Sequence, residues 1–381
     1  MSTPASRFVA ACLAALLLAP AAAKPQLAEH RLEREHELAL DGAGHVRVEH
    51  LAGPVSVEAH DGDTVRARMI IRTGGRDDTQ ARKRAEAVEL AHGRDGGALW
   101  LRARPPLDEH RTLIYLAPAD GTDYNRRVRF DGENVTIRSE ARWGQHGIPA
   151  YVELHLQLPH GTGLDLTQHA GPVTVRGLTG PTRLTMRGDP ASVSSLEAPL
   201  QIDSGSGGVE IADHQGPARV TSGSSTMRLN NIQGGPFELR SHSGRIRIND
   251  VSGSLAVETG SGGLEATGIN AGERLTVDSG SGDVHLDGDL APARDLTVLT
   301  GGGDIRLILA DAPDAELHIG SARGDISVDL PGLSEVRDHR TQFRAVSGAG
   351  RGLWRLESRT GQIRVDSDAG PSSVDDLFGD Q

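Results

Sequence analysis

The sequence predicts an all-β protein: a single-stacked β-solenoid with two short strands per coil of 18–21 residues and a small helix-containing N-terminal cap. Three observations predict it. Short segments of strict apolar/polar alternation recur through residues 161–367, each ending in Ser or Thr before a glycine turn. Glycine is abundant at 48 residues while aromatics make up 3 %, too few for a thick globular core. Cys12 is the only cysteine, so the fold holds by burial and not by disulfides or cysteine metal sites.

The first element is a leader. Arg7 supplies a positive start, Phe8 to Leu18 form an apolar run, Pro20 breaks it, and Ala21-Ala22-Ala23 offers small residues before Lys24. The run is shorter than the roughly 20 residues a membrane span needs, so residues 1–23 read as a signal peptide cleaved near Ala23. Val9-Ala10-Ala11-Cys12 also fits the box before a lipidated cysteine, but most of the apolar stretch follows Cys12, which favours the soluble product. The expectation is a periplasmic or secreted protein with no transmembrane segment in the mature chain.

Residues 24–160 are expected to form a β-rich cap with one helix at 79–92. Asp78 or Thr79 can cap that helix, Ala81, Ala85 and Val88 share a face, and Gly93 stops it. Its expected role is to cover the open end of the core. Ala52-Gly53-Pro54-Val55-Ser56-Val57 is echoed by Ala170-Gly171-Pro172-Val173-Thr174-Val175, so the first strands already read as a coil, with 58–160 inserted after it.

The repeats proper occupy 161–367. Leu200-Gln201-Ile202-Asp203-Ser204 runs into Gly205-Ser206-Gly207-Gly208 and then Val209-Glu210-Ile211. The frame recurs with turns beginning at 204, 222, 241, 259, 279 and 300. Alternation places Leu200, Ile202, Val209 and Ile211 inward, with Gln201, Asp203 and Glu210 outward. Corner glycines are expected where φ turns positive, and the preceding Ser or Thr where the two faces converge. Trp354, Leu356, Ile363 and Val365 read as a last coil after the looser stretch 332–352, and 368–381 as a disordered tail.

Three features carry a family resemblance: Gly53-Pro54-Val55-Ser56-Val57-Glu58 followed by Asp61-Gly62-Asp63-Thr64-Val65, the helix near 79–92, and the iterated Ser-Gly-Ser-Gly turns with a following Asp-Val or Asp-Ile. Over about 35–367 the chain resembles the bacterial "putative adhesin" β-strand-repeat family, a domain of unknown function related to autotransporter-adhesin head domains. The resemblance implies an adhesin-like role and assigns no binding residue.

Candidate chemistry is sparse. Asp283, Asp304 and Asp325 fall at equivalent corners spaced 21 and 21 apart, and stacking would bring them about 4.8 Å from one another. A bridging Ca²⁺ is one reading and solvated turn aspartates the leading one, since other corners hold Gly208, Arg245, Gly263 and Gln362. The 16 histidines form no zinc-site pair, and His285 and His318 are expected at the surface. Arg187-Gly188-Asp189 and Arg323-Gly324-Asp325 read as turn chemistry. No nucleophile elbow or phosphate loop occurs, and an acid such as Asp165 with a stacked neighbour is the nearest thing to a glycosidase pair. The formal charge of −12, one unit more negative once Arg7 leaves, disfavours nucleic acid.

The expectation is therefore a non-enzymatic envelope protein, adhesin-like or a scaffold, offering flat sheet faces to an envelope protein or glycan and needing no cofactor. The alternative is a carbohydrate-active β-helix, a lyase or hydrolase, for which only 105–150 and 332–352 are long enough to wall a cleft.

Overall fold

The computed structural model describes residues 28–107, 111–116, 124–139 and 147–368. The expected leader and the tail from 369 lie outside the described residues. The chain is mostly β, with a long, largely parallel sheet and one α-helix among the described residues.

Two ladders of strands run side by side, and the chain alternates between them. In the first, Gly163–Gln168, Thr182–Met186, Leu200–Ser204, Ala218–Ser222 and Phe237–Ser241 pair in parallel, each with the next. In the second, Val173–Arg176, Ala191–Glu197, Val209–Gln215 and Met227–Gln233 do the same. Each of these strands thus pairs with its counterpart one turn of chain later. Leu200, Ile202, Val209 and Ile211 are buried as the alternation requires, and the inward side chains of both ladders form one hydrophobic cluster from Ala43 to Val365. Parallel rungs of Val, Ile and Leu, covered on the inner face, suit this thin repeated core.

The Gly-Pro-Val echo is a physical stack. His45–His50 pairs with Gly163–Gln168, and Val55–His60 pairs with Val173–Arg176 with Val55 opposite Val173. Residues 61–162 leave between these rungs and extend both ladders beyond them. Ala98–Arg104 adds to His45–His50, and Ile148–Pro159 adds to Val55–His60. Thr64–Gly75 and then Ala28–Ala39 continue the second ladder in antiparallel sense. A small sheet of Thr112–Tyr115, Asn125–Phe130 and Glu133–Ser139 builds a separate core around Tyr115, Tyr124, Phe130 and Ile137.

The helix is shorter than its pattern suggested. It spans Asp78–Glu86, and Asp77, rather than Asp78 or Thr79, caps it by accepting the Gln80 N–H at 2.8 Å. Ala81, Ala85 and Val88 are buried in the main core. Past Glu86, Arg34 donates to the Glu86 and Val88 carbonyls, and Glu89–Asp95 turns back as a strand against Ala98–Arg104. Tertiary pairing with that strand overrides local helical preference there.

The corners that follow the Ser or Thr differ from expectation in mechanism. The glycines at 205, 207, 260 and 262 do not have left-handed φ. A Cβ at Gly262 would overlap the Gly244 carbonyl oxygen of the rung below, so what excludes a side chain is the close stacking. Most of the buried Ser and Thr residues before these turns bond within them: Thr259 Oγ1 donates to Gly262 O at 2.9 Å, and Ser279 Oγ to Gly282 O at 2.7 Å, whereas the buried Ser222 hydroxyl has no partner among the described residues. Left-handed φ is found at the opposite corners, at Gly171, Gly216 and Gly234 with φ of 106, 121 and 79°, and also within the second ladder, in a column of Ser195, Asp213, Asn231, Asp250 and Gly268 with φ of 54, 52, 52, 58 and 66°. Asp and Asn tolerate this region better than most residues.

The largest departure is at the C-terminal end. The expected last coil is last in sequence but not in space. Gly352–Ser358 pairs on one side with Asp295–Thr300 and on the other with Ala315–Ser321. Ile363–Ser367 likewise lies between Ile305–Leu309 and Ile326–Asp329. The rung order is therefore 295–309, 352–367, 315–329. Side chains repeat it: Ser358 Oγ donates to Gly303 O, and Ser321 Oγ donates to Gly361 O. The looser stretch forms an antiparallel hairpin, Leu333–His339 with Gln342–Ser347, that covers the outer edge of Ala315–Ser321.

Candidate functional site

On the outer face of the first ladder, prolines 181, 199, 217 and 236 begin successive strands. Each carbonyl accepts an N–H from the adjacent rung, Leu164 to Pro181 at 2.8 Å through Ala218 to Pro236 at 3.2 Å. A proline is tolerated there because its missing donor falls at the strand start. All four rings are exposed, and they form an apolar stripe along a shallow groove of about 310 Å³. Beside it runs an outward row in strict register: Asp165, Arg183, Gln201, Arg219, Glu238. Arg219 pairs with Glu238 at 2.7 Å, Arg183 approaches Asp203 at 4.0 Å, and His45 Nε2 lies 3.0 Å from Asp165. Rungs repeat at roughly 4.8 Å. The groove therefore offers guanidinium and carboxylate groups at regular spacing beside an apolar rail. Asp165 has Arg47 and Arg183 as its rung neighbours, so no second acid is stacked on it.

A second groove, of about 730 Å³, lies on the outer face of the second ladder near its N-terminal end. Glu35, Arg68, His155 and Ser56 stand in one row across four strands. Ser56 Oγ and His155 Nδ1 are 2.6 Å apart. Arg68 donates to Glu33 at 2.5 Å, and that bond holds the Glu33 carboxyl below its usual range. The Ser–His contact can pass a proton. Around it the backbone N–H groups are turned along the sheet into strand pairing, so the face presents side chains in place of oxyanion donors.

Where the inserted segment meets the stack, polar groups are buried. His50 Nδ1 and Gln168 Oε1 are 3.0 Å apart, and the Gln168 amide donates to Gly53 O and Ala170 O. Burial pushes His50 down to about 4. Burial opposes ionisation of Glu49, but His169 and Arg102 outweigh it and hold that carboxyl low. Arg102 continues the chain to Asp131 at 2.9 Å. Asp189, 5 % exposed, accepts from the Tyr124 hydroxyl and from Arg126 at 3.3 Å. The aspartate of Arg187-Gly188-Asp189 is thus a fastening between the insertion and the stack. Sequence reading missed this network because its members are scattered along the chain from Glu49 to Asp189.

The corner aspartates do not form one ladder. Asp283 Oδ1 accepts the Asp304 N–H at 2.9 Å, and Asp304 Oδ1 accepts the Gln362 N–H at 2.7 Å. Asp325 lies beyond the Gln362 rung, its carbonyl accepting from Ile363 at 2.9 Å. The even spacing of 21 misled because the intercalated rung separates Asp304 from Asp325. The first two carboxylates cap backbone donors of the next rung. Among the described residues no group of three or more His, Cys, Asp or Glu is placed to hold a metal ion. His285 is half-buried and burial lowers it, whereas His318 lies on the surface near Glu316.

A family model described as Toastrack DUF4097 matches residues 119–366. No curated protein matches. Among solved structures, a putative cell adhesion protein from Clostridium sporogenes ATCC 15579 is similar at 10 % identity, over 89 % of this chain and 100 % of that one, with a TM-score of 0.24.

Proposed function

This chain belongs to the Toastrack DUF4097 family, and we propose that it is a non-enzymatic, exported envelope protein, adhesin-like or a scaffold. In this reading the two ladders are the flanks of one β-solenoid whose outer faces hold an extended envelope protein or glycan. The observation that carries it is the first-ladder groove, where the exposed prolines 181, 199, 217 and 236 run beside Arg183, Gln201, Arg219 and Glu238 in unbroken register. A linear partner meets the same rail and charges again at each rung, so many weak contacts add along its length. The non-enzymatic reading is supported by the Ser56–His155 contact sitting on a fully paired sheet. The export reading is supported by the leader pattern of residues 1–23 and by a mature chain without cysteine.

The test is capture from an envelope fraction by the mature chain, beside a variant carrying Arg183→Glu and Arg219→Glu. The native chain should retain one reproducible partner that the variant loses by at least about tenfold, as expected for two reversed charges in a repeated site. Incubation with envelope glycans should release no product. Equal capture by both proteins, or a released oligosaccharide, would contradict the proposal.

A further inference from the structure

The rung order opens a question of assembly. Between Leu309 and Ala315 the chain advances past one rung position and leaves a slot bounded by 295–309 on one side and 315–329 on the other. The segment 352–367 fills that slot in both ladders at once. It brings Trp354, Leu356, Ile363 and Val365, each 1 % exposed, and Trp354 Nε1 donates to Ala293 O at 2.8 Å. Both neighbouring rungs present parallel strand edges of the same alternation, so the slot specifies an incoming U-shaped pair of strands by backbone pairing and by those four apolar side chains.

The approach to the slot is a hinge. Gly348-Ala349-Gly350-Arg351-Gly352 holds three glycines in five residues, with φ of 62° at Gly348 and 67° at Gly350. Asp314 clasps it: Oδ1 accepts the Ala349 N–H at 2.7 Å, Oδ2 accepts from Arg351 Nε at 2.5 Å, and the Asp314 carbonyl accepts the Gly352 N–H at 2.9 Å. The clasp folds the hinge back on the chain's own slot, and without it the same glycines allow an extended path outward.

The geometry points to the slot as an exchange site whose partner is a second copy of this chain, each copy donating its 352–367 segment to the other, with Asp314 as the latch that keeps the segment at home. The segment fits a partner's slot as it fits its own, because the contacts are identical and only the hinge changes.

The test uses the full chain with Cys12→Ser, which leaves no native cysteine. Thr297 and Arg355 face each other on adjacent rungs and point outward, at a spacing of about 4.8 Å that suits a disulfide. One protein carries T297C and another R355C; unfolded together and refolded at high concentration, they should give a disulfide-linked heterodimer that neither yields alone. Asp314→Ala should raise that yield severalfold, and the double variant T297C/R355C refolded in dilution should close its bridge within the monomer. Closure of the internal bridge with no linked heterodimer in either background would overturn the exchange. Failure of the internal bridge to close would overturn the rung order on which it rests, and an Asp314→Ala yield equal to the parent would remove the latch.

Discussion

At Gly262 the neighbouring rung's carbonyl occupies the space a Cβ would need, while two positions earlier Gly260 meets the same constraint from His242 O. The glycine column was readable from the repeat, but its cause was not, because alternation says nothing about how near one corner lies to the next. Its partner column was also readable: Ser204, Ser241, Thr259, Ser279 and Ser358 are buried and bonded to the turn they precede, Ser358 by accepting the Gly361 N–H. Gly262→Ala should therefore cost about 3 kcal/mol in chemical denaturation, the upper range for overpacking a rigid site. A cost under about 0.5 kcal/mol would show that the corner yields. The left-handed column from Ser195 to Gly268 had no such signal, since its residues change identity at almost every rung.

Elements were legible where their period was local and obscured where pairing was remote. The two-strand units and their inward residues follow from alternation alone. Glu89 to His92 read as the end of a helix because the strand that Glu89–Asp95 pairs with lies across a Gly96-Gly97 turn. The buried polar network where the inserted segment meets the stack was not visible at all, resting as it does on His50, Gln168, Glu49, His169, Tyr124, Arg126 and Asp189. That junction gives a pH dependence. His50 stays neutral when folded, down to about 4, whereas an exposed imidazole titrates near 6.5. Below 6.5 the unfolded chain binds a proton that the folded chain refuses, so stability is full above that pH and falls towards 4, by about 3 kcal/mol from this residue. His214 and His285, also lowered by burial, act in the same direction. His50→Gln should flatten the loss between pH 6.5 and 4 by that amount in thermal or denaturant unfolding. An unchanged slope would place the titration elsewhere.

For the whole molecule, the stacked architecture was the most readable property and the order of its last rungs the least. Repeats announce that coils stack, and adjacency in sequence is the usual guide to adjacency in space. Here Leu309 to Ala315 passes over a position that only the final segment fills, and nothing in the alternation of 352–367 distinguishes an inner rung from an outer one. The consequence reached the candidate chemistry, since it separates Asp325 from Asp304 and dissolves the aspartate ladder. It also sets which strand is the free edge of the second ladder among the described residues: Ile326–Asp329, with Ile326 and Val328 only half-buried, in place of Ile363–Ser367. Hydrogen exchange on the native full chain tests this directly, because edge amides open more readily than inner ones. The account predicts that amides of 353–358 and 363–367 exchange as slowly as those of 296–309, with 326–329 exchanging faster. Slow exchange at 326–329 together with fast exchange at 363–367 would contradict it and restore the sequential stack.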